Sequence, residues 1–206
     1  MRAFAVSGGI MTGGVATCGG PRRDSTLGRV TEVIRCWPTN DPLYIAYHDE
    51  EWGRPVLDER GLYERLCLEG FQAGLAWITI LRKREAFRNA FAGFEPERVA
   101  HFGARDVERL LADAAIVRHR GKIEAAIANA RATLALRETG EPLDRLMWEY
   151  RDHADGTELS RRLRAVGFRF VGPTTVYSSL EACGIVNGHR ADCWVHDAVE
   201  AERAVV

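Results

Sequence analysis

Two pairs of metal-ligating residues, one towards each end of the chain, constrain the fold most strongly. Cys36 and His48 lie early in the chain, and His189 and Cys193 lie close to its end, at a spacing that would put both on one face of a helix. Two thiolates and two imidazoles form the ligand set of a tetrahedral zinc site. Because four protein ligands leave no coordination position open, such a site is structural. Neither pair is a Cys-x-x-Cys, so unrelated buried cysteines and histidines are the alternative. If the four residues bind one zinc ion, the two ends of the fold must meet.

The sequence between these pairs predicts an all-α protein. Apolar residues recur at helical spacing, and no strand-like alternation of useful length interrupts them. Asp58 is suited to cap a helix N-terminus, and Pro96 and Pro173 are suited to first helical turns. The predicted helices begin near Asp58, Trp77, Pro96, Val107, Ile123, Leu159 and Pro173.

The composition along the chain predicts one folded domain with an extension. Residues 1–32 are rich in glycine and are interpreted as a disordered or untranslated segment, with an export signal as the alternative. Residues 33–198 are predicted to form the domain, and residues 199–206 a C-terminal tail. The polar segment 151–158 could separate two lobes, but metal ligands from both ends favour a single domain.

The net charge and the cysteines indicate which partners and which compartment the protein has. The net charge of −1 argues against a general polycation but permits a local basic surface for nucleic acid. The five cysteines are widely spaced and odd in number, which is typical of a reduced, cytoplasmic protein. No apolar run is long enough to span a bilayer, so we expect no membrane partner. We also expect a monomer.

A buried carboxylate among aromatic residues predicts a ligand pocket. Glu69 lies on the apolar side of a predicted helix, within a segment of aromatic and small residues. A cationic aromatic ligand would suit such a site, because rings stack on its face and the carboxylate complements its charge. The alternative is that Glu69 caps a neighbouring helix and the rings are core. The candidate aromatic residues are Trp37, Tyr44, Tyr47, Trp52 and Trp77.

Two further segments have features of DNA contacts. Residues 163–175 read as a helix, a glycine-bounded turn and a second helix, and this arrangement looks like a helix-hairpin-helix element. Gly172, Thr174 and Thr175 would offer backbone and hydroxyl donors to a phosphate, with a plain αα-corner as the alternative. Arg118 and Arg120 form a basic cluster before another helix, and a solvated loop is its alternative.

Several segments together resemble the bacterial 3-methyladenine DNA glycosylase I family. The resembling segments are 41–53, 67–77, 118–122 and 167–187, in the family's order within residues 35 to 195. The sequence departs from the family pattern where Trp37 follows Cys36 directly, where Gly188 replaces an Asp, and in a short segment 151–158.

The resemblance implies a helix-hairpin-helix glycosylase with one structural zinc that ties its N- and C-terminal ends together. By position, the zinc ligands are Cys36, His48, His189 and Cys193. Glu69 is implied as the residue that recognises the extruded base, within a pocket shaped by the five aromatic residues. Gly74 and Leu75 are implied to lie in the loop that fills the gap left in the duplex. The expected partners are double-stranded DNA containing alkylated adenine and free 3-methyladenine as the product.

The sequence also predicts base excision without strand cleavage. Lyase-type members of the superfamily carry a lysine just after the hairpin, where this chain has Pro173 and Thr174. The only lysines, Lys83 and Lys122, are far from the hairpin and the pocket in sequence, and Asp192 is interpreted as a surface residue. The rival functions are a non-catalytic module that binds DNA or alkylated bases and a zinc hydrolase, which would need an open metal position.

Overall fold

The chain folds into packed helices over residues 33–153 and 155–206, which are the residues that the computed structural model describes. The predicted extension, residues 1–32, lies outside the described residues. The described ranges contain no β-strand, and none of their helices is both long and apolar enough to cross a membrane. The α-helices are α1 (Pro42–Ala46), α2 (Glu59–Gln72), α3 (Trp77–Ala90), α4 (Pro96–Val99), α5 (Ala104–Ala112), α6 (Arg120–Glu138), α7 (Leu143–Trp148), α8 (Thr157–Ala165), α9 (Pro173–Ala182) and α10 (His196–Arg203).

Local signals set several helix boundaries as predicted. The Asp58 carboxylate accepts a hydrogen bond from the Gly61 N–H at 2.9 Å and caps α2. Trp77 begins α3, and Pro96 and Pro173 occupy the first turns of α4 and α9. A π-helical turn, Tyr47–Glu51, continues α1 directly.

Helix α2 lies at the centre of the domain. It packs against α3, α6, α7 and α9, and Leu62, Leu66 and Phe71 are almost completely buried in those contacts. A fully buried side chain of this size contributes about 1.5–3 kcal/mol through the hydrophobic effect, so the position of α2 is firmly fixed. Residues on its remaining face, Glu69 among them, are therefore held on a rigid support.

The C-terminal region differs from the sequence prediction in two respects. His189 and Cys193 lie in a non-helical segment before α10, so their proximity comes from a loop and not from one helix face. Helix α10 crosses the predicted boundary at residue 198, and its Val199 and Arg203 are buried. The Arg203 guanidinium donates to the carbonyls of Gly184 and Ile185 at 2.8 and 2.9 Å and pairs with Asp152. The last turns of the chain thus pack against the folded unit.

Candidate active site and metal centre

The four predicted metal ligands converge in the structure. Their ligand atoms all lie within 4.8 Å of one another. His189 Nδ1 lies 3.3 Å from Cys36 Sγ, and His48 Nε2 lies 3.6 Å from Cys193 Sγ. Zinc–sulfur and zinc–nitrogen bonds of about 2.3 and 2.0 Å place ligands roughly 3.5 Å apart in a tetrahedron. The arrangement is therefore compatible with a four-coordinate metal site.

Neighbouring groups orient both histidine ligands. His48 Nδ1 lies 2.7 Å from Asp49 Oδ1, and both oxygens of the Asp49 carboxylate accept hydrogen bonds from the Arg35 guanidinium. His189 Nε2 lies 3.0 Å from the Trp52 carbonyl, and burial lowers the pKa of His189 to about 4, so its ring is neutral. In each ring the opposite nitrogen faces the cluster, as in metal-binding histidines, and His48 Nε2 accepts a hydrogen bond from the Cys36 N–H at 3.1 Å.

A continuous row of aromatic rings connects the Cys–His cluster to the pocket. Trp37 packs edge-on against His48, and Trp52 packs against His189, with ring centroids 4.7 and 4.5 Å apart. Trp37 also contacts Trp52 and Tyr44, at 4.9 and 5.2 Å. The row then continues through Tyr47 to Trp77. Because the two histidines pack directly against these rings, the Cys–His cluster supports the wall of the pocket.

All five predicted aromatic residues and Glu69 line one cavity of about 150 Å³. The structure adds three residues that the sequence analysis did not identify, which are Gln72, Ser178 and Glu181. Gln72 follows Glu69 by one helical turn, a spacing that could have indicated it. Ser178 and Glu181 lie on α9, and nothing in the local sequence signals that α9 reaches this cavity. Of the described side chains, those of Trp37 and Trp77 have indole N–H groups that are buried without a hydrogen-bond partner.

The Glu69 carboxyl group is poised to change its charge near neutral pH. Burial raises its pKa to about 7, the Arg65 guanidinium opposes the rise, and Glu181 adds to it. Arg65 lies one helical turn before Glu69, and its charge is shared with Glu51 at 3.3 Å. A carboxylate that is only partly compensated in this way attracts a cationic ligand strongly.

Comparison with known proteins identifies the family. A sequence model described as methyladenine glycosylase matches residues 37–196. The chain belongs to this family. DNA-3-methyladenine glycosylase 1 of Escherichia coli is 48% identical to it over 177 residues, which cover 77% of this chain and 95% of the relative.

Solved structures agree with this assignment. A crystal structure of 3-methyladenine DNA glycosylase I matches with a TM-score of 0.76 and 46% identity, over 79% of this chain and all of the other. A variant of 3-methyladenine DNA glycosylase I in complex with 3-methyladenine matches with a TM-score of 0.73 and 38% identity, over 77% of this chain and 94% of the other. The family resemblance seen in the sequence is thereby confirmed, and the protein is an enzyme of the glycosylase class.

The pKa of Glu69 predicts how the enzyme responds to acid. Because burial raises that pKa to about 7, lowering the pH through 7 protonates the carboxylate and removes its attraction for a cationic base. We expect kcat/KM for excision of a cationic base to fall about tenfold per pH unit well below 7. A pH profile of single-base excision measures this, with Glu69→Gln as the comparison, because that variant should lack the step. A wild-type profile that stays flat from pH 8 to 5 would contradict it.

The loop between α2 and α3 carries the predicted wedge residues. Gly74 adopts a left-handed φ of 82°, and the Leu75 side chain is 40% exposed. The Lys122 ammonium group donates to the carbonyls of Phe71 and Ala73 at 2.9 and 2.6 Å. This buried amine caps the C-terminus of α2 and fixes the start of the loop, a contact that the sequence analysis did not foresee.

The turn between α8 and α9 is also anchored to the enzyme's core. The Asn129 side chain exchanges hydrogen bonds with the backbone of Arg169, at 2.7 and 3.2 Å. Gly167 adopts a left-handed φ of 103°, which suits glycine at this turn. Gly172 is the N-terminal cap residue of α9 and Thr174 is exposed, whereas Thr175 is half-buried.

The two predicted basic residues lie on the surface before and at the start of α6. Arg118 and Arg120 are both exposed. The Arg120 guanidinium pairs with Glu108 at 2.7 Å and approaches Glu124 at 3.7 Å, so its charge is already shared. Asp192 is exposed and pairs with Arg190 at 2.7 Å, as expected for a surface residue.

Proposed function

We propose that this protein removes 3-methyladenine from alkylated double-stranded DNA by hydrolysing the N-glycosidic bond, which leaves an abasic site. The observation that supports this most directly is the cavity in which a buried carboxylate faces five aromatic rings. Flat rings suit a purine, and the carboxylate suits a purine that carries positive charge. The names of the relatives, which are 3-methyladenine DNA glycosylases, point to the same base.

Hydrolysis of this glycosidic bond requires little acid catalysis from the protein. An N3-alkylated adenine is cationic, so its glycosidic bond breaks to give a neutral free base while the sugar takes on oxocarbenium character. Water then adds its oxygen to the sugar carbon and releases a proton. We propose that Glu69 binds the extruded cationic base and stabilises the developing sugar cation electrostatically, so that catalysis is mainly recognition and charge stabilisation.

We propose that the enzyme leaves the DNA strands intact. A lyase needs a nucleophilic amine at the sugar, and the sequence contains two lysines. The Lys122 amine donates to the carbonyls of Phe71 and Ala73 at the end of α2, and the Lys83 amine donates to the carbonyls of Ala114 and Ala115 at 3.2 and 2.9 Å. Neither lysine lines the cavity.

We propose that the metal bound by the Cys–His cluster is zinc and that it is structural. Zinc favours a mixed thiolate and imidazole set in tetrahedral geometry, and four protein ligands leave no position for water or substrate. The cluster joins a residue close to the start of the described fold, Cys36, to one near its end, Cys193. Its histidines pack against Trp37 and Trp52, so a bound metal would also hold this part of the pocket wall in place.

We propose that α8, its turn and α9 act as a helix-hairpin-helix that holds the DNA backbone. The N-terminus of α9, with Gly172, Thr174 and Thr175, would bind a phosphate, and Arg118 and Arg120 would contact the backbone nearby. Such contacts are independent of base sequence, which suits an enzyme that must search all DNA for damage.

We expect a monomer that works in the cytoplasm without a membrane partner.

Leu75 is proposed to enter the duplex where the base has left it. Replacing Leu75 by Ala removes an exposed apolar wedge, so we expect kcat/KM on duplex DNA to fall roughly tenfold, while thermal stability stays unchanged. Leu57→Ala is the matched control, because Leu57 is also an exposed leucine but does not lie in this loop. Excision kinetics that are equal for both variants would argue against a wedge at this position.

The deciding experiment is base release from methylated duplex DNA, with free purines resolved by chromatography and strands examined on a denaturing gel. Release of 3-methyladenine with 7-methylguanine retained and strands uncut is the expected result. Tight binding of the damaged duplex without release by a folded, metal-loaded protein would instead indicate a binding module.

A further inference from the structure

A second carboxylate lines the proposed base pocket. Glu181 lies on α9 and borders the same cavity as Glu69 on α2. Its side chain is half-buried and forms no ion pair or side-chain hydrogen bond with the described residues. Burial raises the pKa of Glu181, and Glu181 in turn raises that of Glu69, so the two groups share one electrostatic environment.

The position of the Glu181 side chain depends on a glycine opposite it. A Cβ atom at Gly188 would lie 2.9 Å from Glu181 Oε1 and 3.0 Å from both its Cδ and Cγ. Gly188 does not adopt a left-handed φ, so its backbone would accept another residue. The absence of a side chain at position 188 therefore provides the room in which the Glu181 carboxyl group lies beside the cavity.

The charges around the cavity favour a cation over a neutral ligand. Arg65 partly offsets Glu69, but no described cation pairs with Glu181. A neutral purine would leave that carboxylate desolvated and uncompensated, whereas a purinium ion would offset its charge. Specificity arises in such a case from the cost of the wrong ligand as much as from the attraction of the right one.

We propose that Glu181 is a specificity-determining residue that acts with Glu69 to select a positively charged purine, and that Gly188 makes the space for it. This inference rests on the proposed function of the cavity as the base pocket. Two carboxylates on different helices would spread negative charge along the ligand, which matches a charge delocalised over a purine ring better than a single carboxylate does.

The test compares two small probes that differ in charge. 3,9-Dimethyladeninium is a cation in which the 9-methyl group replaces the sugar, and 9-methyladenine is its neutral counterpart. Binding to the metal-loaded protein is followed by quenching of the pocket tryptophans, Trp37, Trp52 and Trp77. In Glu181→Gln, which keeps the side-chain size, we expect the preference for the cation over the neutral probe to fall about tenfold, because the cation loses an attraction and the neutral probe no longer desolvates a charge.

A double-mutant cycle tests the part assigned to Gly188. Gly188→Ala should displace the Glu181 carboxyl group and lower the preference for the cation in the wild-type background. The same change should not alter that preference in Glu181→Gln, because the charge is already gone. Glu138→Gln is the control, since Glu138 is an exposed glutamate on α6 that does not line the cavity.

The possible results separate this inference from the function on which it rests. A cation preference that is unchanged in Glu181→Gln, or equal losses for both probes, would overturn the role of Glu181 alone. Failure of the folded wild-type protein to bind either probe would overturn the base pocket itself, and the inference with it. A selective loss for the cation, together with a non-additive cycle, is the supporting outcome.

Discussion

Replacement of Glu69 by Gln is expected to lower kcat/KM for 3-methyladenine excision by roughly 100-fold or more, the scale seen when one preorganised electrostatic group is lost. Gln has almost the same size, so the central helix α2 and its core contacts should be preserved. The variant loses the charge that complements a cationic base and the developing sugar cation. Single-turnover release of 3-methyladenine from methylated duplex DNA measures the effect.

Two controls make this result interpretable. Glu138→Gln removes an exposed carboxylate far from the cavity and should leave excision unchanged. Thermal unfolding of Glu69→Gln should occur at or above the wild-type temperature at pH 8, because a buried carboxylate that is costly to ionise has been removed. Wild-type excision by a folded Glu69→Gln protein would rule out the proposed role of this residue.

Loss of a metal ligand is expected to have the largest effect on stability. Cys193 is buried, and Cys193→Ser should abolish stable zinc binding. Zinc present at about 1,000 times its Kd contributes about 4 kcal/mol, and 1 kcal/mol corresponds to roughly 2–4 °C in a protein of this size. The midpoint of thermal unfolding should therefore fall by about 8–16 °C. Metal content by mass spectrometry and thermal unfolding of the purified protein measure the two parts of this prediction.

A different buried cysteine distinguishes metal loss from a packing defect. Cys67 lies in the hydrophobic core, so Cys67→Ala should cost packing energy but keep one zinc ion per chain. Chelation of the wild-type protein should also weaken base binding, because His48 and His189 pack against Trp37 and Trp52 in the pocket wall. A Cys193→Ser protein that retains a full zinc ion would exclude the proposed ligand set.

Features that depend on neighbours in sequence were predicted well. The starts of α2, α3, α4 and α9 follow from a capping Asp58, from Trp77, and from prolines at first turns, all of which act within a few residues. The short helices α1 and α7 were not predicted, because each has too few residues for a helical period to stand out.

The candidate site was predicted in part for a similar reason. Glu69 and the five aromatic residues were identified because a carboxylate among rings is unusual in sequence. Gln72 shares a helix face with Glu69 and was within reach of the same reasoning. Ser178 and Glu181 could not be predicted in this way, because they reach the cavity through the packing of α9 on α2, which no local sequence pattern encodes.

The sequence by itself determined the helical class, the four residues of the Cys–His cluster and the family, because these depend on residue types and their order. Only the tertiary structure decided that Lys122 caps the end of α2 and that Glu181 lines the same cavity as Glu69. The tertiary structure also explains why glycine occupies position 188, where the family pattern has another residue. A side chain there would collide with Glu181. Contacts between residues distant in the chain form only when helices pack, and packing depends on the shape and burial of whole surfaces.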